Sequence, residues 1–179
     1  MKNRRKAWGL AFLGQARCDL AGAGAVGTTE PHTLCVMLQM GFEKLGKAFR
    51  CRFEEDFDHR RLQRSHRSAY TMTATLAAGP RIGKMQVPST LSAGAQQHLA
   101  LIRQLEGLQP ANAKKNVRTS GQLEYPWQDA TGKVKYPAKH LQFLKDVCDP
   151  FGGTYRPDSA LKFASEVARQ LGNWLDELQ

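Results

Sequence analysis

At 179 residues, 41% hydrophobic and 23% charged, the chain has the make-up of one globular domain that can bury a core without disulfide or metal staples. Its 26 lysines and arginines against 16 acids leave a formal net charge of +10, which points to a polyanion, nucleic acid first, or else to a basic surface that serves only solubility. The four cysteines show no metal-ligand spacing, so reduced thiols, a cytoplasmic setting and neither structural metal nor cofactor are expected, and no run is apolar enough to span a membrane.

The first helix is expected from about Trp8 to Val26, with Leu13, Ala16, Leu20 and Ala23 at helical spacing. The basic start Met1–Lys6 and the apolar Ala7–Leu13 superficially mimic a signal peptide. Arg17 and Asp19 follow too soon, so this reads as an amphipathic helix rather than a targeting segment. Pro31 suits the start of a second helix, which carries the most informative run of the chain, Leu34–Arg52. Leu34, Leu38, Gly41, Leu45 and Phe49 share one face, while Val36, Met37, Met40 and Phe42 add apolar surface elsewhere, as expected of a central helix. Gln39, Glu43 and Lys47 form one polar stripe, with Glu43 and Lys47 in the favourable order for an ion pair. Such a stripe on a buried helix should meet another helix or a partner.

A third helix is expected from roughly Arg60 to Ala78, with Leu62, His66, Ala69, Thr73 and Leu76 on one face and Gly79-Pro80 as its stop. Ser89 or Ser92 can cap a fourth, which reaches Leu108 with Leu91, His98, Leu101, Ile102 and Leu105 turned inward. Residues 109–139 lack periodicity and form a long basic loop punctuated by Pro and Gly. A short helix His140–Val147 follows, and a last one opens at Pro157 with Leu161, Ala164, Ala168, Leu171, Leu175 and Leu178 in step. No strand stands out. The fold class is an all-α antiparallel bundle with a long irregular loop before its C-terminal helices.

The order of these pieces resembles the HEPN domain family (higher-eukaryote and prokaryote nucleotide-binding). FLGQARCDLA, beginning at Phe12, resembles the family's opening pattern. QMGFEKLGKAF, beginning at Gln39, resembles its second-helix signature. Ser65-His66 resembles the pair that opens a third helical stretch, Glu124-Tyr125-Pro126 an element before the last helix, and Ala168 to Leu175 the closing helix. The resemblance implies a helical bundle that dimerises and acts on RNA. Many members are metal-independent endoribonucleases of toxin–antitoxin and phage-defence systems that carry Arg-x4–6-His. Others are non-catalytic modules that bind RNA, a nucleotide or a partner such as a nucleotidyltransferase.

Three Arg/His pairs have that spacing: Arg61 and His66, Arg60 and His66, Arg52 and His59. The chemistry fits the residue types. Histidine can take the proton of a ribose 2′-hydroxyl and return one to the leaving oxygen, and arginine holds a phosphate with a planar fork of donors. Arg60 or Arg61 with His66 is the candidate catalytic pair. The competing reading makes His66 a half-buried histidine satisfied by a backbone carbonyl, in a tract so rich in arginine that matches arise by chance. His59 adjoins an acidic patch and is expected in a turn. Lys2, Arg4, Arg5, Lys6 and, in the long loop, Lys114, Lys115 and Arg118 are candidate phosphate contacts. Tyr125 and Trp127 either stack on bases of a single strand or pin the loop to the bundle. Gln39, Glu43 and Lys47 either face a partner or order the bundle.

Overall fold

A computed structural model describes residues 2–54, 58–108, 127–128, 131, 133–135, 144 and 156–178. Among these, the chain is an all-α bundle of six helices with two short hairpins: α1 (Lys2–Val26), α2 (Pro31–Phe53), α3 (His59–Gln63), α4 (Ser68–Ala78), α5 (Ser89–Gly107) and α6 (Pro157–Asp176). No helix among the described residues is long and apolar enough to cross a membrane.

The helical face expected on α1 is the one that packs: Leu13, Ala16, Leu20 and Ala23 are all buried. The helix starts earlier than expected, at Lys2. Its basic first turns are good helix formers, and Arg5 and Lys6 tie them to other elements. α2 is the central helix, packed against α1, α4, α5 and α6. Leu34, Leu38, Gly41, Leu45 and Phe49 are buried along one side and Phe42 on another, but Met40, expected to add buried surface, faces solvent. Arg5 reaches across from α1 to the C-terminal end of α2, donating to the carbonyls of Cys51 at 2.9 Å and Arg52 at 3.1 Å. Those carbonyls have no partner within their own helix.

The third helix expected over 60–78 is two helices. α3 ends at Gln63 and α4 begins at Ser68, so His66 lies in non-helical chain between them. Side chains from α2 hold the break: Lys47 takes the Gln63 carbonyl at 3.0 Å, and Arg50 takes the Ser65 hydroxyl at 2.7 Å. Asp58 caps α3 through the Arg60 amide at 2.9 Å. Leu62, Ala69, Thr73 and Leu76 are buried as expected. The start of α4 lies directly on α2 at Gly46, where an added Cβ would fall 2.3 Å from the Ser68 backbone.

α5 turns Leu91, His98, Leu101, Ile102 and Leu105 inward, as its sequence predicts. The expected serine cap is not made. Ser89 is the first helical residue, and Pro88 precedes it without a side-chain cap. α6 opens at Pro157 and buries Ala164, Ala168, Leu171 and Leu175, together with Phe163, Val167 and Trp174. It runs antiparallel to α1, with Lys6 paired to Asp176 at 3.3 Å.

Two hairpins escaped the sequence reading. β1 (Arg81–Ile82) pairs with β2 (Met85–Gln86) through a turn in which Gly83 has φ 58°. β3 (Trp127–Gln128) pairs with β4 (Val134–Lys135) inside the long loop. Two-residue strands are too short to carry an alternating pattern. The expected helix 140–147 lies outside the described residues except for Leu144, which is buried in the core. Cys35 and Cys51 are buried, whereas Cys18 is exposed. Burial pushes the Cys51 thiol up to about 12.

Candidate functional site

The polar stripe of α2 is buried and reaches other elements, with Gln39 Oε1 left without a hydrogen-bond partner among the described residues. Gln39 is 3% exposed, Glu43 6% and Lys47 3%. Gln39 donates to the Leu105 carbonyl at 2.8 Å, in the last turn of α5. Lys47 donates to Glu43 Oε1 at 2.5 Å as well as to the Gln63 carbonyl that ends α3. An amide and an ammonium from one helix thus satisfy the C-terminal carbonyls of two others, where the helix dipole favours positive charge. Lys47 Nζ also stands 5.8 Å from the centroid of the Phe12 ring on α1. The stripe therefore meets helices, as one of its two sequence readings holds.

The other oxygen of Glu43 faces the break. Glu43 Oε2 lies 3.3 Å from His66 Nδ1, and the His66 side chain is 37% exposed. With Nδ1–H donating to Glu43, Nε2 carries the lone pair. His66 is half-buried, as the competing reading had it, but its partner is a carboxylate rather than a backbone carbonyl.

Glu106 on α5 is a second acid near His66. It lines the same narrow cleft as Gln39, Glu43 and His66, and its carboxylate accepts from the Tyr70 amide at 3.1 Å. This caps the start of α4 from α5. Burial raises the Glu106 carboxyl above its ordinary value, opposed by hydrogen bonds from the Tyr70 and Ala69 amides and by Arg67, and reinforced by nearby Glu43. Sequence reasoning missed Glu106, although it falls four residues after Ile102 on the inward face of α5. Arg50 was also missed. It binds Ser65 and Ser68 across the break and pairs with Glu54.

Arg60 and Arg61 are exposed on α3, and Arg64 and Arg67 are exposed in and after its last turn. The expectation that Arg61 and His66 share one helix fails, because the helix ends between them. The exposed arginines lie on the short helix α3 and His66 in the segment that follows it. Among the described residues, neither the Arg60 nor the Arg61 guanidinium has a hydrogen bond or ion pair within the chain.

The third Arg/His match is split between separate contacts. Arg52 donates to the Trp174 carbonyl at 2.7 Å and lies 5.2 Å from the Phe53 ring. His59, expected in a turn, is the first residue of α3; it stacks on Trp8 at 5.3 Å, with Arg4 at 3.2 Å. Of the N-terminal basic group, Arg5 caps α2, Lys6 pairs with Asp176 and Arg4 holds His59, so these three are engaged within the fold. Lys114, Lys115, Arg118 and Tyr125 lie outside the described residues, and Trp127 is described only as the first residue of β3. Among the described residues, no group of three or more His, Cys, Asp or Glu side chains is placed to hold a metal ion.

A buried histidine lies elsewhere. His98 on α5 contacts the Ser159 hydroxyl at 3.1 Å and stacks on Phe163 at 5.4 Å. Burial lowers its pKa from 6.5, so it is neutral in the fold at neutral pH. Comparisons with known protein families, curated proteins and solved structures find no match to this chain.

Proposed function

We propose that this chain is a HEPN-like protein that acts on RNA, as a metal-independent endoribonuclease of a toxin–antitoxin or phage-defence system. The observation that carries the reading is the solvent-reachable His66 held through Nδ1 by buried Glu43, in the segment that follows the exposed Arg60 and Arg61 of α3. Glu43 fixes the tautomer, which leaves His66 Nε2 as the base. In the reaction, Nε2 takes the proton of a ribose 2′-hydroxyl and the freed oxygen attacks the adjacent phosphorus. The bond to the 5′-oxygen breaks, that oxygen takes up a proton, and a 2′,3′-cyclic phosphate remains. Arg60 or Arg61 stabilises charge developing on the phosphate oxygens. A homodimer would set two such centres in one cleft.

A second reading is favoured by the break between α3 and α4, which puts Arg61 and His66 on different elements. On that reading the chain is a non-catalytic module that binds RNA, a nucleotide or a partner protein such as a nucleotidyltransferase. The Glu43–His66 contact then serves only to order the bundle.

Incubating a mixed RNA pool with the purified protein in EDTA, wild type beside His66→Ala, decides between them. Cleavage to cyclic-phosphate ends that the variant loses supports the ribonuclease. Binding without cleavage by either protein supports the module. Cleavage that EDTA abolishes sinks the metal-independent reading.

A further inference from the structure

A groove of roughly 610 Å³ runs between α1 and α6, away from His66. Its α1 wall is Arg17, Leu20, Ala21 and Gly24, of which Arg17, Ala21 and Gly24 are exposed and step by four and three, a spacing that exposed Leu10 and Gly14 continue along α1 beyond the groove. Leu161, Ser165, Ala168 and Gly172 on the antiparallel α6 step in the same way. Residues in that alternation lie along one seam of a helix, the geometry that receives another helix. Small side chains on both walls let a third backbone come close, and the α1 wall from Arg17 to Gly24 is about 10 Å long at about 1.5 Å per residue, about one heptad.

Charge identifies the occupant. Arg169 on one rim is paired with Glu166 at 2.6 Å, and Asp176 at one end is paired with Lys6 at 3.3 Å. Arg17 crosses the groove toward Gly172, whose added Cβ would lie 3.5 Å from Arg17 Nη2. Among the described residues, Arg17 has no hydrogen bond or ion pair, so the uncompensated charge of the groove is positive. A second copy is a poor occupant, because it also carries +10 and a two-fold contact along α1 would set Arg17 near its own equivalent. Nucleic acid is also poorly matched, because seven of the eleven lining residues are small or apolar and, with Arg169 paired to Glu166, Arg17 is the one lining cation without a carboxylate among the described residues.

We propose that the α1/α6 groove docks an amphipathic helix of an acidic partner protein, with its apolar seam on the small residues and a carboxylate on Arg17. This does not rest on the RNA reading and uses none of its residues.

The test uses two synthetic helical peptides with leucine at the a and d heptad positions, flanked by glutamate in one and lysine in the other. Their binding to the full chain is read by fluorescence anisotropy at physiological salt. The glutamate peptide should bind at least about tenfold more tightly than the lysine peptide. Ala21→Trp, an exposed substitution that fills the groove, should weaken the glutamate peptide by at least about tenfold while leaving the melting temperature unchanged. Arg17→Glu should shift the preference toward lysine. Binding that Ala21→Trp leaves intact would show general attraction to a basic surface and overturn the proposal, as would failure of both peptides to bind. Two results would overturn it in favour of another occupant: a dimer in sedimentation that Ala21→Trp dissociates, or a single-stranded RNA oligonucleotide whose own affinity falls in that variant.

Discussion

Gly46 is the residue on which the candidate site most depends without belonging to it. Its missing side chain lets the Ser68 backbone settle onto α2, and this contact places the 64–67 segment over Glu43 and Lys47. A methyl group there meets backbone, which moves far less readily than the end of a side chain. Gly46→Ala should therefore lower the unfolding free energy by about 3 kcal/mol, read from the urea midpoint. A change under about 0.5 kcal/mol would show that α4 can lift without penalty. At this scale the sequence was informative about which residues matter and silent about their partners. Glu43 and His66 were both singled out, but 23 positions separate them, and no local spacing reports a contact that the path of the chain creates. Glu106 carried even less signal. One acid on the inward face of a helix looks the same whether it caps a neighbouring helix or reaches water.

Among the elements, the α5–α6 contact makes a pH prediction. His98 is buried against Ser159 and Phe163, and burial depresses its pKa below the ordinary 6.5. As pH falls, the unfolded chain takes the proton before the folded one does. The stabilising contribution is thus complete above about pH 6.5 and is lost as pH drops through the lowered folded value. The melting temperature should fall between neutral pH and about pH 5, and His98→Gln should flatten that fall. An equal slope in the variant would assign the loss to other groups. The faces of α1, α2, α5 and α6 were legible because long amphipathic helices repeat the same signal over several turns. The division of α3 from α4 was not. Residues 60–78 contain no glycine or proline to mark a break, and the forces that end α3 come from Lys47 and Arg50 on α2. A helix that tertiary contacts interrupt reads as continuous in sequence.

For the whole molecule, a net charge of +10 decides how RNA binding should respond to salt. If the exposed arginines of α3 hold phosphates, a fourfold rise in salt should weaken single-stranded RNA by about tenfold or more, as released counterions oppose binding. Anisotropy titrations over a salt series measure the slope, and a flat response would remove RNA from the account. α3 carries a further consequence. Five residues are far too few to remain helical alone in water, so this helix exists only while the rest of the fold dictates it. Lys47 grips its last carbonyl with the same ammonium that steadies Glu43 against His66. Local opening of this corner would therefore release the arginines and the histidine's carboxylate together, as one cooperative unit in amide exchange. Any substitution that frees α3 silences the corner without touching a reacting group, and loss of activity there carries meaning only alongside the exchange rates of the α3 amides.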